Sequence, residues 1–227
     1  MTDEVLDHPV QHSLTGAHRA LALAEGRAMR YPADVSPFMA LPGDATADDW
    51  KHLAHLAEPD PITLLDVPAT VPATWTSPRR FTVVQMTGRR VRTTAGRGQA
   101  LAPLILGPAD INDMVDLTAR TNPGPFGRRT HEMGTYLGFR QEGKLIAMAG
   151  ERLRPEGWTE ISAVCTDPAF RGRGLARGLM TLLIEIIRDR GEQPFLHVVE
   201  NAPAARLYES MGFSARRTFL VTSLKSA

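Results

Sequence analysis

The stretch Thr159-Glu-Ile-Ser-Ala-Val-Cys-Thr-Asp-Pro-Ala-Phe-Arg-Gly-Arg-Gly-Leu-Ala176 reads as a strand, a tight glycine turn and the start of a helix. Ile161, Ala163 and Cys165 alternate with Glu160, Ser162, Val164 and Thr166, a period of two that gives a strand two faces. Asp167-Pro168 stops that strand, because proline has no N–H for the ladder. Leu175, Leu179, Leu182, Leu183, Ile186 and Ile187 then recur at the spacing of a buried helical face. A helix start carries unpaired N–H groups and the positive end of the dipole. Gly172 and Gly174 allow a ligand close to that backbone, so the expected guest is a phosphate or pyrophosphate. The turn lacks the Gly-Lys-Ser/Thr of a Walker loop and the glycine spacing of a dinucleotide fingerprint.

Working outward, Arg190-Gly191 is a helix-stop signal and Pro194–Val199 reads as a buried strand. Asn201–Met211 is a helix stopped by Gly212, and residues 214–224 can supply a last hairpin. Upstream, Tyr136–Arg140 and Lys144–Arg154 read as paired strands joined at Gln141-Glu-Gly143. Ile111, Met114, Val115 and Leu117 mark a helix after a strand over Ala100–Leu106. Asn122-Pro-Gly-Pro-Phe-Gly127 is a loop, followed by a short helix over Arg128–Met133.

The first hundred residues are less regular. Residues 1–12 read as a loose terminus. Ser13 or Thr15 is expected to cap a helix carrying Leu14, Ala17, Leu21, Ala24 and Ala28. Thr46-Ala-Asp-Asp49 starts a second helix with Trp50, Leu53, Ala54 and Ala57 on its apolar stripe. Ile62–Val67 and Phe81–Met86 are strand candidates, separated by a loop punctuated by Pro68, Pro72 and Pro78. Arg89–Gly98 reads as a basic linker or exposed hairpin, solvated rather than binding.

Composition bounds the possibilities. The chain has 227 residues, 43% of them hydrophobic and 22% charged, enough for a sizeable core in one large domain or two small ones. A net charge of +1 gives no footprint for nucleic acid or an anionic membrane. The one cysteine excludes an intramolecular disulfide and a cysteine-based zinc site. His52 and His55 stand three apart on a helix without an evident third ligand, so no metal site is expected. The acidic, polar start does not read as a signal peptide, and no apolar run is long enough to be expected to span a bilayer. The expectation is a soluble cytoplasmic protein.

Two motifs then stand in register. Arg171-Gly-Arg-Gly-Leu-Ala176 resembles the acyl-CoA signature Gln/Arg-x-x-Gly-x-Gly/Ala of the GNAT superfamily of N-acetyltransferases. Asn201-x-x-Ala204-x-x-x-Tyr208-Glu-x-x-Gly212-Phe213 resembles that family's second signature, in the family's order and spacing. The resemblance covers about residues 100–222. It implies an α/β (α+β) fold with a mixed, mostly antiparallel twisted sheet flanked by helices. Residues 100–227 would be the catalytic domain. Residues 1–95 would be a smaller N-terminal α/β domain, for which a degenerate half-copy of the same fold is one reading.

The resemblance also implies the site. Coenzyme A would lie between the strands 159–166 and 194–199, its pantetheine arm bonding the backbone of Ala163, Val164 and Cys165 as an extra strand. Its pyrophosphate would sit on the amides of Arg171, Gly172, Arg173, Gly174, Leu175 and Ala176, with Arg171, Arg173 and Arg177 adding charge. Asn201 and Ala204 match cofactor-contacting positions. Tyr208 matches the tyrosine that protonates or hydrogen-bonds the leaving sulfur. Glu160 stands where some members place a general-base glutamate; His131, Glu132 or a water chain are the alternatives.

Each residue also has a plain reading: Tyr208 as a core aromatic, Glu160 as a solvent-facing strand residue, and Arg128 and Arg129 as solvated cations rather than acceptor contacts. Cys165 is read as a small buried residue and His197 as a satisfied core or edge histidine. The function implied is acyl-CoA-dependent transfer of acetyl from acetyl-CoA to a primary amine, without a metal, in a monomer or homodimer. The alternative is a non-catalytic acyl-CoA-binding regulatory module. A nucleic-acid binder using the arginine runs is disfavoured by the near-neutral charge.

Overall fold

The structure, a computed structural model, describes residues 3–57, 61–66, 71–93 and 101–226. In the N-terminal half, helix α1 (Pro9–Thr15) precedes strands β1 (Leu23–Glu25), β2 (Ala28–Arg30) and β3 (Phe38–Ala40). Helix α2 (Ala47–Ala57), β4 (Ile62–Leu65) and the long β5 (Trp75–Thr87) follow. The C-terminal half holds β6 (Leu104–Leu106), α3 (Ile111–Thr121), β7 (Tyr136–Gln141), β8 (Lys144–Glu151) and β9 (Trp158–Thr166). It continues with α4 (Leu175–Asp189), β10 (Gln193–Val199), α5 (Ala204–Met211) and β11 (Ser214–Ser226). Among the described residues no helix is long and apolar enough to cross a membrane.

Among the described residues all the strands join one eleven-stranded sheet in the order β1-β2-β3-β4-β11-β5-β10-β9-β8-β7-β6. Only β3 with β4 and β9 with β10 run parallel; every other pair is antiparallel. Setting β6 aside, the order reads the same from both ends. Each half contributes an antiparallel trio, a helix, and a strand parallel to the third of the trio. Each then sends its last strand across to pair with the other half. Thus β5 lies beside β10 and β11 beside β4, and the two last strands pair with each other from Ser214↔Thr87 to Ser226↔Trp75. This exchange ties residues more than a hundred positions apart into one ladder.

Both sheet faces are covered. Helix α4 buries Leu175, Leu179, Leu183, Ile184 and Ile187 against Ile161, Leu196, Val198 and Met86. Helix α3 lays Met114 and Leu117 on Met148, Ala163 and Cys165. Each fully buried aliphatic side chain of this kind contributes roughly 1.5–3 kcal/mol. Strand β9 changes face partway. A bulge sets both Ala163 and Val164 opposite Ala149, because Met148 pairs with Cys165 and Gly150 with Ser162. Ile161 therefore packs with α4 while Ala163 and Cys165 pack with α3, so the simple alternation expected for 160–166 breaks at the bulge.

Several other expectations are corrected. The terminus is not loose: α1 begins at Pro9, whose missing N–H costs nothing at a first helical position, and Leu6, Val10 and Leu14 are buried. The helix expected beyond Ser13 ends at Thr15, and β1 and β2 occupy its second half. Residues 214–226 form one strand, not a hairpin, because β11 has partners along both edges. Pro78 lies within β5, beside the register break between Ser223 and Lys225, where no ladder donor is required of it. Pro68, and residues 94–98 of the basic segment, fall outside the described residues.

Buried polar contacts also join the halves. The Tyr31 hydroxyl donates to His18 Nδ1 (2.9 Å), and His18 Nε2–H donates to the Met133 carbonyl (2.9 Å). Burial pushes His18 down from the usual 6.5 to about 4, so the folded protein resists its protonation. The unfolded chain then binds the extra proton between those values, and stability falls as pH drops from 6.5 to about 4. The full loss is about 3 kcal/mol. Urea denaturation at pH 7 and pH 4.5 should show this drop in wild type and a clearly smaller one in His18→Gln.

Candidate functional site

The site begins where two parallel strands part. Strands β9 and β10 pair at Gln193↔Trp158, Pro194↔Thr159 and Phe195↔Glu160, and there the ladder stops. Beyond it β9 follows β8 to Thr166, while β10 follows β5 to Val199. The backbone edge of β9 from Ile161 onward is left facing a gap. Ala163 sits in that edge with φ of 51°, a left-handed conformation that a non-glycine residue adopts only under constraint. Such a bulge re-aims backbone groups away from the ladder.

The gap opens into a cleft of about 660 Å³. Val164, Cys165 and Thr166 line it from β9, Phe170 to Arg177 from the turn and helix α4, and Ala204, Leu207 and Tyr208 from α5. Thus the two sequence motifs, more than twenty residues apart, meet in one cavity. The turn is built as its glycines require. Gly172 and Gly174 have φ of 77° and 74°, and Gly174 directly precedes α4. A side chain at either would meet nothing within 4 Å, so backbone angle and not crowding selects glycine there. Asp167 N-caps the short turn at Pro168–Phe170 by accepting from Ala169 N–H, and it pairs with Lys144 (3.0 Å) and Arg120.

Electrostatics favour an anion. Arg171, Arg173 and Arg177 are exposed and form no ion pair among the described residues. Arg171 reaches the Thr166 carbonyl (3.3 Å), Arg173 lies over the Phe170 ring (5.0 Å), and Arg177 donates to Ser210 Oγ (2.6 Å). The α4 dipole adds about 0.3–1 kcal/mol for a negative group at its start.

Tyr208 lines the cleft, largely buried, and its hydroxyl has no hydrogen-bond partner among the described residues. Burial, with a smaller push from Cys165, raises its pKa to about 12, so the phenol keeps its proton at neutral pH. Burial likewise pushes the Cys165 thiol up to about 11, which suits the plain reading of it as a packing residue. Ala204 lines the cleft. Asn201 is exposed with φ of 63° and is not among the lining residues, nor is Ala163. Thr121, Asn122, Ala202, Pro203 and Leu207 line it without having been singled out from sequence. Asn122, the left-handed cap that ends α3, carried the one local signal, a helix stop before a Pro-Gly loop.

Glu160 is not the solvent-facing residue of the plain reading, and its surroundings oppose the role of base. It is fully buried. Arg152 donates to both of its oxygens (2.9 and 2.6 Å), and His197 Nδ1 lies 2.7 Å from Oε1. Burial alone would raise its pKa, but Arg152 and His197 outweigh that and hold it below the usual carboxylate range. A carboxylate so held has little affinity for a proton. Glu132 is similarly occupied by Arg129, at 2.7 and 2.9 Å. His131 stands outside the cleft lining, its Nδ1 buried without a partner. No cluster of metal-ligating side chains occurs among the described residues.

Known proteins resemble this chain. The FR47-like protein family matches residues 136–221, which span both motifs. A GNAT-family protein from Novosphingobium aromaticivorans is 37% identical, covers 98% of each chain and superposes with a TM-score of 0.87. Mycothiol acetyltransferase of Thermomonospora curvata is 37% identical over 83 residues, 36% of this chain and 28% of that protein. The N-alpha-acetyltransferase RimI of Mycobacterium tuberculosis is 38% identical over 82 residues, 34% of this chain and 51% of that protein. The matches thus take in from about a quarter to about half of the curated relatives' lengths.

The turn makes a direct prediction. Gly174→Ala places a Cβ in the left-handed region and should cost about 1 kcal/mol. That corresponds to a melting midpoint lower by about 2–4 °C in a calorimetric scan.

Proposed function

This chain belongs to the GNAT family, and from that premise we propose that it is an acyl-CoA-dependent N-acetyltransferase carrying acetyl from acetyl-CoA to a primary amine. The observation that carries the reading is the single cleft uniting the glycine–arginine turn with Tyr208. The cleft fits the cosubstrate on its own terms. Its volume lies in the range of small-molecule sites. The glycine turn at the start of α4 offers N–H groups to a pyrophosphate, and Arg171, Arg173 and Arg177 add charge-assisted donors. The free edge of β9 at Val164–Cys165 suits an extended amide arm, which would add to it as a strand does.

When bound, the cosubstrate supplies an activated acyl carbon whose C–S bond breaks as the C–N bond to the amine forms. The chain's own groups do the rest. A backbone N–H of the bulge would hold the acyl oxygen. Tyr208, kept protonated by its raised pKa, donates its proton to the leaving sulfur and takes one back from solvent. The amine's proton passes to solvent water, because the carboxylates of Glu160 and Glu132 are committed to arginines. The cleft holds the two reactants together, which replaces a bimolecular encounter with an oriented one.

Acetyl-CoA offered with a panel of primary amines should yield free thiol at a rate that saturates in both substrates. Tyr208→Phe should lower kcat by roughly 10²-fold while leaving the CoA Kd within about twofold. Tight CoA binding without thiol release for any amine would instead identify an acyl-CoA-binding module.

A further inference from the structure

We propose that His197 and Glu160 act together as a positioning pair, a side-chain rung fixing where β9 and β10 part and so setting the cleft for the CoA arm. The inference rests on the acyl-CoA reading above and adds to it the residues that shape the site. The last backbone rung between the strands is Phe195↔Glu160. His197 lies two residues further along β10, past the end of that ladder, yet its Nδ1 is 2.7 Å from Glu160 Oε1. The contact therefore spans the gap at its narrow end, where no backbone bond does.

The pair is itself held from both sides. On the β9 side, the Arg152 guanidinium grips Glu160 and lies over the Phe38 ring at 5.0 Å. On the β10 side, Gln85 of β5 lies 3.2 Å from His197 Nε2 and donates to the Leu6 carbonyl (2.9 Å). Arg216 of β11 donates to Gln85 Oε1 (2.9 Å) and to Asp7 (2.8 Å). Arginine can only donate, so the Gln85 oxygen must face Arg216 and its NH2 must face the imidazole. His197 Nε2 then accepts, and its proton sits on Nδ1, directed at Glu160. Four strands and the N-terminal segment thus fix one imidazole tautomer.

Isothermal titration with CoA tests this on the intact chain, with melting temperatures and steady-state kinetics measured alongside. His197→Phe should fold and weaken CoA binding about tenfold. His197→Asn, whose side-chain N–H can replace Nδ1–H, should recover affinity to within about twofold of wild type. Glu160→Gln should lose CoA affinity, with kcat at saturating CoA within about threefold of wild type. Unchanged CoA affinity in His197→Phe would overturn the proposal. So would a Glu160→Gln variant that binds CoA normally and loses about a hundredfold in kcat, since that behaviour belongs to a base. Failure of the wild-type chain to bind CoA would overturn the acyl-CoA reading itself, and this inference with it. Should Glu160→Gln not fold, the two His197 variants still decide, since both leave the Arg152–Glu160 pair in place.

Discussion

The structure depends on an interrupted ladder. Two parallel strands in the middle of a continuous sheet pair for three rungs and then separate. A sheet tolerates such a defect only if each strand keeps another partner, and here β8 and β5 supply them. Because β5 comes from the N-terminal half, β10 is held past the separation by residues more than a hundred positions upstream. The helix that follows β9 must start at the mouth of the gap, and so its unpaired N–H groups and dipole face the cavity. Bulge, glycine turn and tyrosine all follow from that one separation.

The near-palindromic order of the sheet places a second parallel pair, β3 and β4, in the equivalent position, with α2 where the other half has α4. A smaller cavity of about 160 Å³ lies there, lined by Met39, Leu41, Leu64 and Leu65 and by α1 residues including Val10. The chemistry of its helix start is opposite in sign. Asp48 and Asp49 occupy the first turn of α2, Asp49 accepting from Thr46 N–H (2.7 Å) and pairing with Arg27 (2.5 Å), with Asp44 beside it. Carboxylates satisfy a helix N-terminus and leave it repelling phosphate, whereas glycines and unpaired arginines leave it open. Like topology in the two halves therefore does not imply like binding.

Much of this was legible in the sequence where a local rule decides the outcome. Pro168 ended β9, Gly191 and Gly212 ended their helices, and Leu175, Leu179, Leu183 and Ile187 are buried on α4 as their spacing predicts, whereas Leu182 and Ile186 are half-buried and Met180 and Ile184 complete the buried face. Legibility failed where partners are distant in sequence. Nothing local in 214–226 distinguishes one long strand from a hairpin; the distinction lies in β4 and β5 waiting on either edge. The bulge at Ala163 was hidden because alanine carries no signal for positive φ. Glu160 looked available because its strand neighbours are mixed in polarity, while Arg152 and His197, eight and thirty-seven positions away, arrive only on folding. Leu6, Val10 and Leu14, by contrast, stand four apart and could have marked the terminus as packed.

The CoA site we propose is the glycine turn before α4, joined to the β9 edge and α5. Hydrogen–deuterium exchange with and without CoA tests it most directly, since amides reporting each helix start are read separately. The account predicts protection on CoA addition at residues 164–166, 171–176 and 202–208, with no change at residues 41–47 before α2. Protection at 41–47, or none at 171–176 under saturating CoA, would contradict it.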